Sequence, residues 1–235
     1  MRFSRPLERA TLLRRYKRFL ADVRLADGRE ETVHCPNSGS LLGCKDEGLE
    51  VYVLDSGNPE RKLRYTWVLV RVGRALVNVD TGIPNRIVYE AASEQTIPGL
   101  EGYTAVRREV AYGRNSRIDV LLEGRGKDPR PCYVEVKSTT LAEGDLGLFP
   151  DAVTERGRKH LEEMQREVKR GARAVQLFVL SRTDVKRFRP ADAIDPDYGK
   201  ELRKAARNGV EVMAHRSKIT LNGVVLGESV PVDLS

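Results

Sequence analysis

Along the first 80 residues apolar and polar positions alternate in short runs separated by turn residues, the period-two signature of half-buried strands. Val23-Arg24-Leu25, the turn Asp27-Gly28 and Glu31-Thr32-Val33 read as a hairpin. Residues 49–54 read as a strand broken by Ser56-Gly57-Asn58-Pro59, and residues 63–72 and 75–79 flank Gly73-Arg74 as a further pair. About five short strands without a convincing helix predict a small barrel, with the OB type the leading arrangement.

The rhythm changes after the segment Thr81-Gly82-Ile83-Pro84-Asn85, which reads as a linker. Asn85 can cap a helix running to about Gln95, ended by Pro98-Gly99. Strands are expected at residues 104–112, 117–122 and 132–137. A second helix over 154–170 carries Leu161, Met164 and Val168 on one stripe and Glu162 and Arg166 one turn apart, with Gly171 as its stop. Residues 172–181 form an unbroken apolar run, as expected of a strand buried on both faces. Asp195-Pro196 opens a third helix that Gly209 closes, and residues 210–214 with the Asn222-Gly223 turn finish the chain in strands. These patterns predict two domains, residues 1–82 and 83–235. The first is a small all-β OB-like barrel; the second is α/β, a mixed sheet flanked by helices.

Chemistry gathers on two of the predicted strands, Ser116-Arg117-Ile118-Asp119-Val120-Leu121-Leu122 and Cys132-Tyr133-Val134-Glu135-Val136-Lys137. Alternation puts Glu135 and Lys137 on one face and Val134 and Val136 on the other, while Asp119 shares a face with Arg117 and Leu121. The intervening Gly124-Arg125-Gly126-Lys127-Asp128-Pro129-Arg130-Pro131 is turn chemistry, so the two strands are expected to form an antiparallel hairpin. A register placing Asp119 opposite Glu135 would set their Cβ atoms roughly 4.5–5.5 Å apart. Like charges that close destabilise the fold unless a proton or a cation lies between them. A divalent metal with a neighbouring lysine makes all three residues useful, whereas a solvated strand face would leave them idle.

Composition fits a globular chain: 40% of residues are apolar and 32% charged, and no run of about 18 apolar residues suggests a membrane span. The N-terminus lacks an apolar signal core, and Cys35, Cys44 and Cys132 form neither an even set nor a C-x-x-C pair, so a reduced, cytoplasmic protein is expected. His34, Cys35 and Cys44 lack a convincing fourth ligand for zinc, and inert thiols are the better reading. The net charge of +7 is spread over both halves: residues 1–80 hold 15 basic and 11 acidic side chains, the remainder 26 and 23. Such a surplus favours polyanions without naming one. Two strings interleave cations with aromatics, Arg14-Arg15-Tyr16-Lys17-Arg18-Phe19 and Arg61-Lys62-Leu63-Arg64-Tyr65-Thr66-Trp67. They suit a groove that stacks bases and neutralises phosphates, and equally a barrel core of Phe19, Tyr65 and Trp67 with solvated charges between.

Asp119 followed by Glu135-Val136-Lys137 resembles the motif of the restriction-endonuclease-like, or PD-(D/E)XK, nucleases, with Ile118 standing where the motif proline would be. A wider resemblance spans nearly the whole chain. The strings Arg15-Tyr16-Lys17-Arg18-Phe19-Leu20-Ala21-Asp22, His34-Cys35-Pro36-Asn37-Ser38-Gly39-Ser40, Ser116-Arg117-Ile118-Asp119, Glu135-Val136-Lys137-Ser138 and Phe149-Pro150-Asp151-Ala152-Val153-Thr154-Glu155-Arg156-Gly157 are similar to the sugar fermentation stimulation protein family, SfsA. That resemblance implies an OB-like N-terminal domain, a nuclease-like C-terminal domain, DNA as partner with strandedness open, and a link to regulation of sugar catabolism.

On the nuclease reading Asp119, Glu135 and the carbonyl of Val136 hold Mg²⁺ or Mn²⁺, and Lys137 orients water or stabilises developing charge. Glu90, on the helix before the sheet, is an additional candidate ligand, and Glu109 a weaker one. Arg156 and Lys159 lie in the first turns of their helix, where the backbone dipole favours phosphate. Ser138 and His160 could also face this cleft, His160 more readily as a structural residue, and residues 37–40 could approach a phosphate or form a plain turn. Arg14, Arg15, Lys17, Arg18, Arg61, Lys62 and Arg64 are the candidate nucleic-acid contacts of the first domain. Two rivals to a DNA-hydrolysing enzyme are a DNA-binding regulator that keeps the fold without turnover and an RNA-directed protein that uses the barrel.

Overall fold

The computed structural model describes residues 1–113, 116–126 and 128–235; Lys127 of the expected β-turn lies outside the described residues. The first domain comprises β1 (Glu8–Tyr16), β2 (Leu20–Leu25), β3 (Glu30–His34), β4 (Glu50–Asp55), β5 (Tyr65–Val72) and β6 (Ala75–Asn78). They run in the order β3-β2-β1-β4-β5-β6, and a parallel contact between His34 and Thr66 joins β3 to β5, closing a five-stranded OB barrel. Inward-facing Leu12, Val23, Val33, Val51, Val53, Tyr65 and Trp67 fill it. β1 was not expected: its charged outer positions mask the alternation of Ala10 and Leu12, which point inward.

The second domain follows with α1 (Gly82–Ser93), β7 (Ala105–Tyr112), β8 (Ser116–Glu123), β9 (Cys132–Thr139), β10 (Leu141–Glu143), β11 (Leu146–Phe149), α2 (Glu155–Lys169), β12 (Arg173–Leu180), β13 (Arg187–Pro190), α3 (Pro196–Arg207), β14 (Glu211–Thr220) and β15 (Gly223–Ser229). Its main sheet is mixed, ordered β15-β14-β12-β9-β8-β7. β9, β12 and β14 are parallel; β7, β8 and β15 join antiparallel. The apolar strand β12 sits between β9 and β14, which explains its lack of alternation. Short strands β10, β11 and β13 form a separate sheet that the pattern missed, because three or four residues carry too little periodicity to read.

Helix α1 covers one face of the sheet, its Ile83, Ile87, Val88 and Ala91 packing with Val134, Val136, Val175 and Leu177. The same cluster includes Tyr52, Val68 and Leu69 of the barrel, so one apolar core crosses from domain to domain. On the other face α2 and α3 bury Leu161, Met164, Tyr198 and Leu202 against Phe178 and Leu180. Caps behave as their chemistry dictates: Thr154 accepts from Gly157 N at 3.1 Å, and Asp195 accepts from Tyr198 N at 3.0 Å ahead of Pro196.

Helix α1 departs from expectation. It starts at Gly82, with Thr81 at its N-cap and the Asp80 carboxylate accepting from Gly82 N at 2.8 Å, so Asn85 lies inside the first turn and caps nothing. Pro84 fits there because the first N–H groups of a helix have no partner within it. Freed from capping, the Asn85 side chain reaches across to the sheet.

All three cysteines are buried and free, and burial pushes the thiols of Cys44 and Cys132 up to about 11 and about 12. None is placed for ligation or nucleophilic chemistry at neutral pH. Among the described residues no helix is long and apolar enough to cross a membrane.

Candidate active site

Strands β8 and β9 pair through Leu122↔Cys132, Leu121↔Tyr133 and Val120↔Val134, and there the ladder stops. One step further, where the strands part, Asp119 and Glu135 stand opposite one another. The fork is held open by a side chain: Asp119 Oδ2 accepts from the backbone N–H of Val136 at 2.7 Å. In a strand the N–H and C=O of one residue point to the same side, so the Val136 carbonyl is directed into the same fork. From α1, Asn85 Nδ2 donates to Asp119 Oδ1 at 2.6 Å. Both oxygens of the aspartate are thus oriented.

Glu135 is 2% exposed. Its Oε1 receives Lys137 Nζ at 2.6 Å and also pairs with Nδ1 of His160 on α2. Arg156, one turn earlier on α2, donates from Nε to His160 Nε2 at 3.4 Å, which requires the imidazole to carry its proton on Nδ1 and donate to Glu135. Oε2 of Glu135 is buried and has no hydrogen-bond partner among the described residues. A buried carboxylate oxygen left so is costly, on the order of 1–3 kcal/mol.

Electrostatics separate the two acids. Burial, then the charge of Glu135, pushes the Asp119 carboxyl up to about 7, against the Val136 N–H and Lys137, which favour its ionised form. For Glu135 burial also opposes ionisation, but the charge of Lys137 and the hydrogen bonds from His160 and Lys137 outweigh it and hold the carboxyl below its ordinary range. The Lys137 ammonium, paired with Glu135, thus favours the ionised form of Glu135 more than that of Asp119. Among the described residues no three His, Cys, Asp or Glu side chains converge as a ready metal cage. The donor set is two carboxylates and a backbone carbonyl, all oxygen, which fits a hard cation that retains water and substrate oxygens in its remaining positions.

Around the fork lies a cleft of about 960 Å³ formed by both domains. The second domain contributes Asp119, Glu135, Val136, Lys137, Ser138, Arg156, Lys159 and His160; the barrel contributes Arg18, Asn37, Ser38 and Gly39. Glu109 also faces it. Its φ of +52° places a non-glycine residue in the left-handed region, and it interrupts the β7–β8 ladder opposite Asp119.

Other candidates lie elsewhere. Glu90 does not reach the fork: its carboxylate pairs with the Met1 ammonium at 2.8 Å and Arg86 at 3.0 Å. α1 offers the site Asn85 instead, because Asn85 lies more than one turn nearer the helix start. Arg15 is engaged internally, donating to the carbonyls of Arg18, Asn37 and Gly39 at 2.7–2.9 Å. Arg14 pairs with Asp22, and Arg64 with Asp55. Arg14 and Lys17 line a second, shallower depression that shares Arg18 with the main cleft, whereas Arg61, Lys62 and Arg64 line neither. Tyr65 and Trp67 are barrel core, whereas Phe19 is 49% exposed, so the two aromatic strings have different roles.

The sequence offers Asn85 as a cap and His160 as a cleft-facing residue more readily structural than catalytic; neither is marked as a partner of the two acids. The spacing of Arg156 and His160, one helical turn, would place both on one face, but nothing in the sequence says that this face meets Glu135. Loop 37–40 is fixed against the second domain: Ser40 Oγ donates to the Asp151 carbonyl at 2.6 Å, and Asp151 Oδ2 accepts from Leu41 N at 2.8 Å.

Two family descriptions match the chain: the SfsA N-terminal OB domain over residues 13–79 and the sugar fermentation stimulation protein RE domain over residues 82–223. A sugar fermentation stimulation protein homolog of Geobacter metallireducens is 52% identical over 235 residues, covering all of both chains. One of Geobacter sulfurreducens is 51% identical over 232 residues, covering 99% of this chain and 98% of its own. The solved structure of Pyrococcus furiosus SfsA in complex with Ca²⁺ superposes with a TM-score of 0.90 at 28% identity, covering 99% of this chain and 98% of that one.

Proposed function

Since the chain belongs to the sugar fermentation stimulation protein family, we propose that it is a divalent-metal-dependent nuclease that hydrolyses DNA phosphodiester bonds at the fork between β8 and β9. The observation that carries this reading is the Asp119–Glu135 pair: a half-buried and a buried acid side by side, the second with an oxygen that nothing satisfies among the described residues, beside a lysine and in the lining of a cleft. The Ca²⁺ held by the Pyrococcus furiosus relative supports a cation for this fold. DNA is favoured by the surplus of +7 and by cations lining the cleft.

Asp119, Glu135 and the Val136 carbonyl would hold Mg²⁺ or Mn²⁺, which when bound supplies a Lewis acid for the phosphate and a more acidic water. Asn85 and the Val136 N–H keep the Asp119 carboxylate aimed. His160 occupies Glu135 Oε1 and leaves Oε2 for the cation. Lys137, a donor without acceptors, holds the attacking water by its lone pair or neutralises charge growing on the phosphate oxygens. Arg156 and Lys159, at the start of α2, bind the phosphate where the helix dipole also favours an anion.

The test is cleavage of supercoiled plasmid and of labelled single- and double-stranded oligonucleotides with Mg²⁺ or Mn²⁺, beside an identically purified Glu135→Gln variant. The wild type is expected to cut and the variant to lose on the order of 10³-fold or more. Equal cutting by both would assign the activity to a contaminant. Binding of DNA without cutting by either would leave a DNA-binding regulator of sugar catabolism as the function.

A further inference from the structure

The turn between β1 and β2 is a tight hairpin turn in the left-handed region. Lys17 and Arg18 are consecutive non-glycine residues at φ +47° and +62°, a conformation disfavoured for L-residues and kept only where surroundings enforce it. Arg15 enforces it by donating to the Arg18 carbonyl at 2.9 Å, and the Phe19 carbonyl accepts from Cys35 N at 2.8 Å. Phe19, next to Arg18 in this turn, is 49% exposed, and Arg18 is one of the residues lining the cleft. An exposed aromatic ring next to a cation is the element with which single-strand binders stack a base and neutralise its phosphate.

The cleft argues in the same direction. Its barrel side is fixed to the second domain through Ser40, Leu41 and Asp151, and Arg15 ties residues 37–40 to the β1–β2 turn. A volume of about 960 Å³ falls in the range of pockets that enclose small molecules, enough for a few nucleotides of one strand.

We propose that the substrate is a single-stranded DNA segment, led into the cleft between the barrel and the β8–β9 fork with a base stacked on Phe19 and a phosphate on Arg18. This rests on the nuclease reading for what happens at the fork, but not for binding.

The experiment is fluorescence anisotropy with the full-length chain in Ca²⁺, using a 5′-labelled 12-mer, a blunt duplex of the same sequence and an RNA 12-mer. The single DNA strand is expected to bind about tenfold tighter than the duplex. Phe19→Ala, a surface change that leaves the core intact, is expected to lose about tenfold on the strand and little on the duplex. Phe19→Trp should restore the affinity, since stacking and not the residue itself is required. A duplex or RNA bound more tightly than the DNA strand, or a Phe19→Ala protein that binds the strand unchanged, would overturn the proposal. Strand binding that depends on Phe19 without metal-dependent cutting would remove the nuclease and keep this inference. Cutting of duplex indifferent to Phe19 would do the reverse.

Discussion

At the scale of single residues the most consequential feature is an acid held near neutrality. Asp119 titrates at about 7 in the folded, metal-free chain against an ordinary 3.8. Between those values the folded protein keeps a proton that the unfolded chain has released. Its contribution to stability is therefore complete below about pH 4 and is lost as pH rises through about 7. Metal-free protein is expected to melt at progressively lower temperature across that window, and Asp119→Asn should flatten the slope. A cation bound at the fork would reverse the preference, because its charge favours the carboxylate. Calorimetric titration with Mn²⁺ in buffers of different ionisation enthalpy should report about one proton released at pH 6 and nearly none at pH 8.5. Proton release that does not change with pH would take Asp119 out of the ligand set. The sequence marked Asp119, Glu135 and Lys137 through strand alternation, the turn between the two strands and the resemblance to the nuclease motif, because spacing along a strand fixes which side chains share a face. It read Asn85 as a cap and His160 as a cleft-facing residue more readily structural than catalytic; their contacts with the two acids span 34 and 25 residues of chain.

At the scale of elements, loop 37–40 is shaped less by its own residues than by one arginine 22 to 24 positions earlier. Arg15, on sequence a candidate phosphate contact, donates to the carbonyls of Arg18, Asn37 and Gly39. Arg15→Ala is expected to destabilise the protein by about 2 kcal/mol through these charge-assisted bonds. For a chain of this size that is a fall of roughly 4–8 °C in Tm, with proteolysis newly accessible near residues 37–40. A variant with unchanged Tm and lowered DNA affinity would return Arg15 to the substrate. Element existence was mostly readable: the hairpins, the buried β12 and the capped helices α2 and α3 follow from alternation, apolar runs and Thr154 and Asp195. Where reading failed, the local signal was ambiguous. At the start of α1 the Thr81 side chain makes no cap hydrogen bond and the Asp80 carboxylate takes Gly82 N instead, whereas Asn85 carries the more familiar capping side chain. Strands as short as β10 and β13 form because a neighbour supplies their partners, as β11 does for both.

At the scale of the whole molecule, the two domains are joined by structure as well as by chain. The apolar cluster under α1 takes in barrel residues Tyr52, Val68 and Leu69, and Asn78 N donates to the Ser181 carbonyl at 2.8 Å. Arg182, buried at 7% exposure, donates to the Thr140 carbonyl at 2.9 Å and pairs with Asp184 at 2.8 Å, lying against Cys44 of the first domain. Trp67 is the single tryptophan and sits in the barrel core, while α1, α2 and α3 all belong to the second domain. Tryptophan fluorescence and far-ultraviolet circular dichroism thus report different domains, and with a shared core their urea unfolding curves are expected to coincide. Separate midpoints would mean that each domain folds on its own. The sequence by itself determined the two-domain division, the barrel, the mixed sheet and the acid–acid–lysine set, because these rest on local periodicity and on residues a few positions apart. Tertiary structure alone decided what surrounds that set: that Asn85 and His160 hold the acids while Glu90 does not, that Arg15 shapes a loop, and that the barrel forms a wall of the cleft. Those are contacts between segments distant in the chain, fixed only when burial of one continuous core sets the domains against each other.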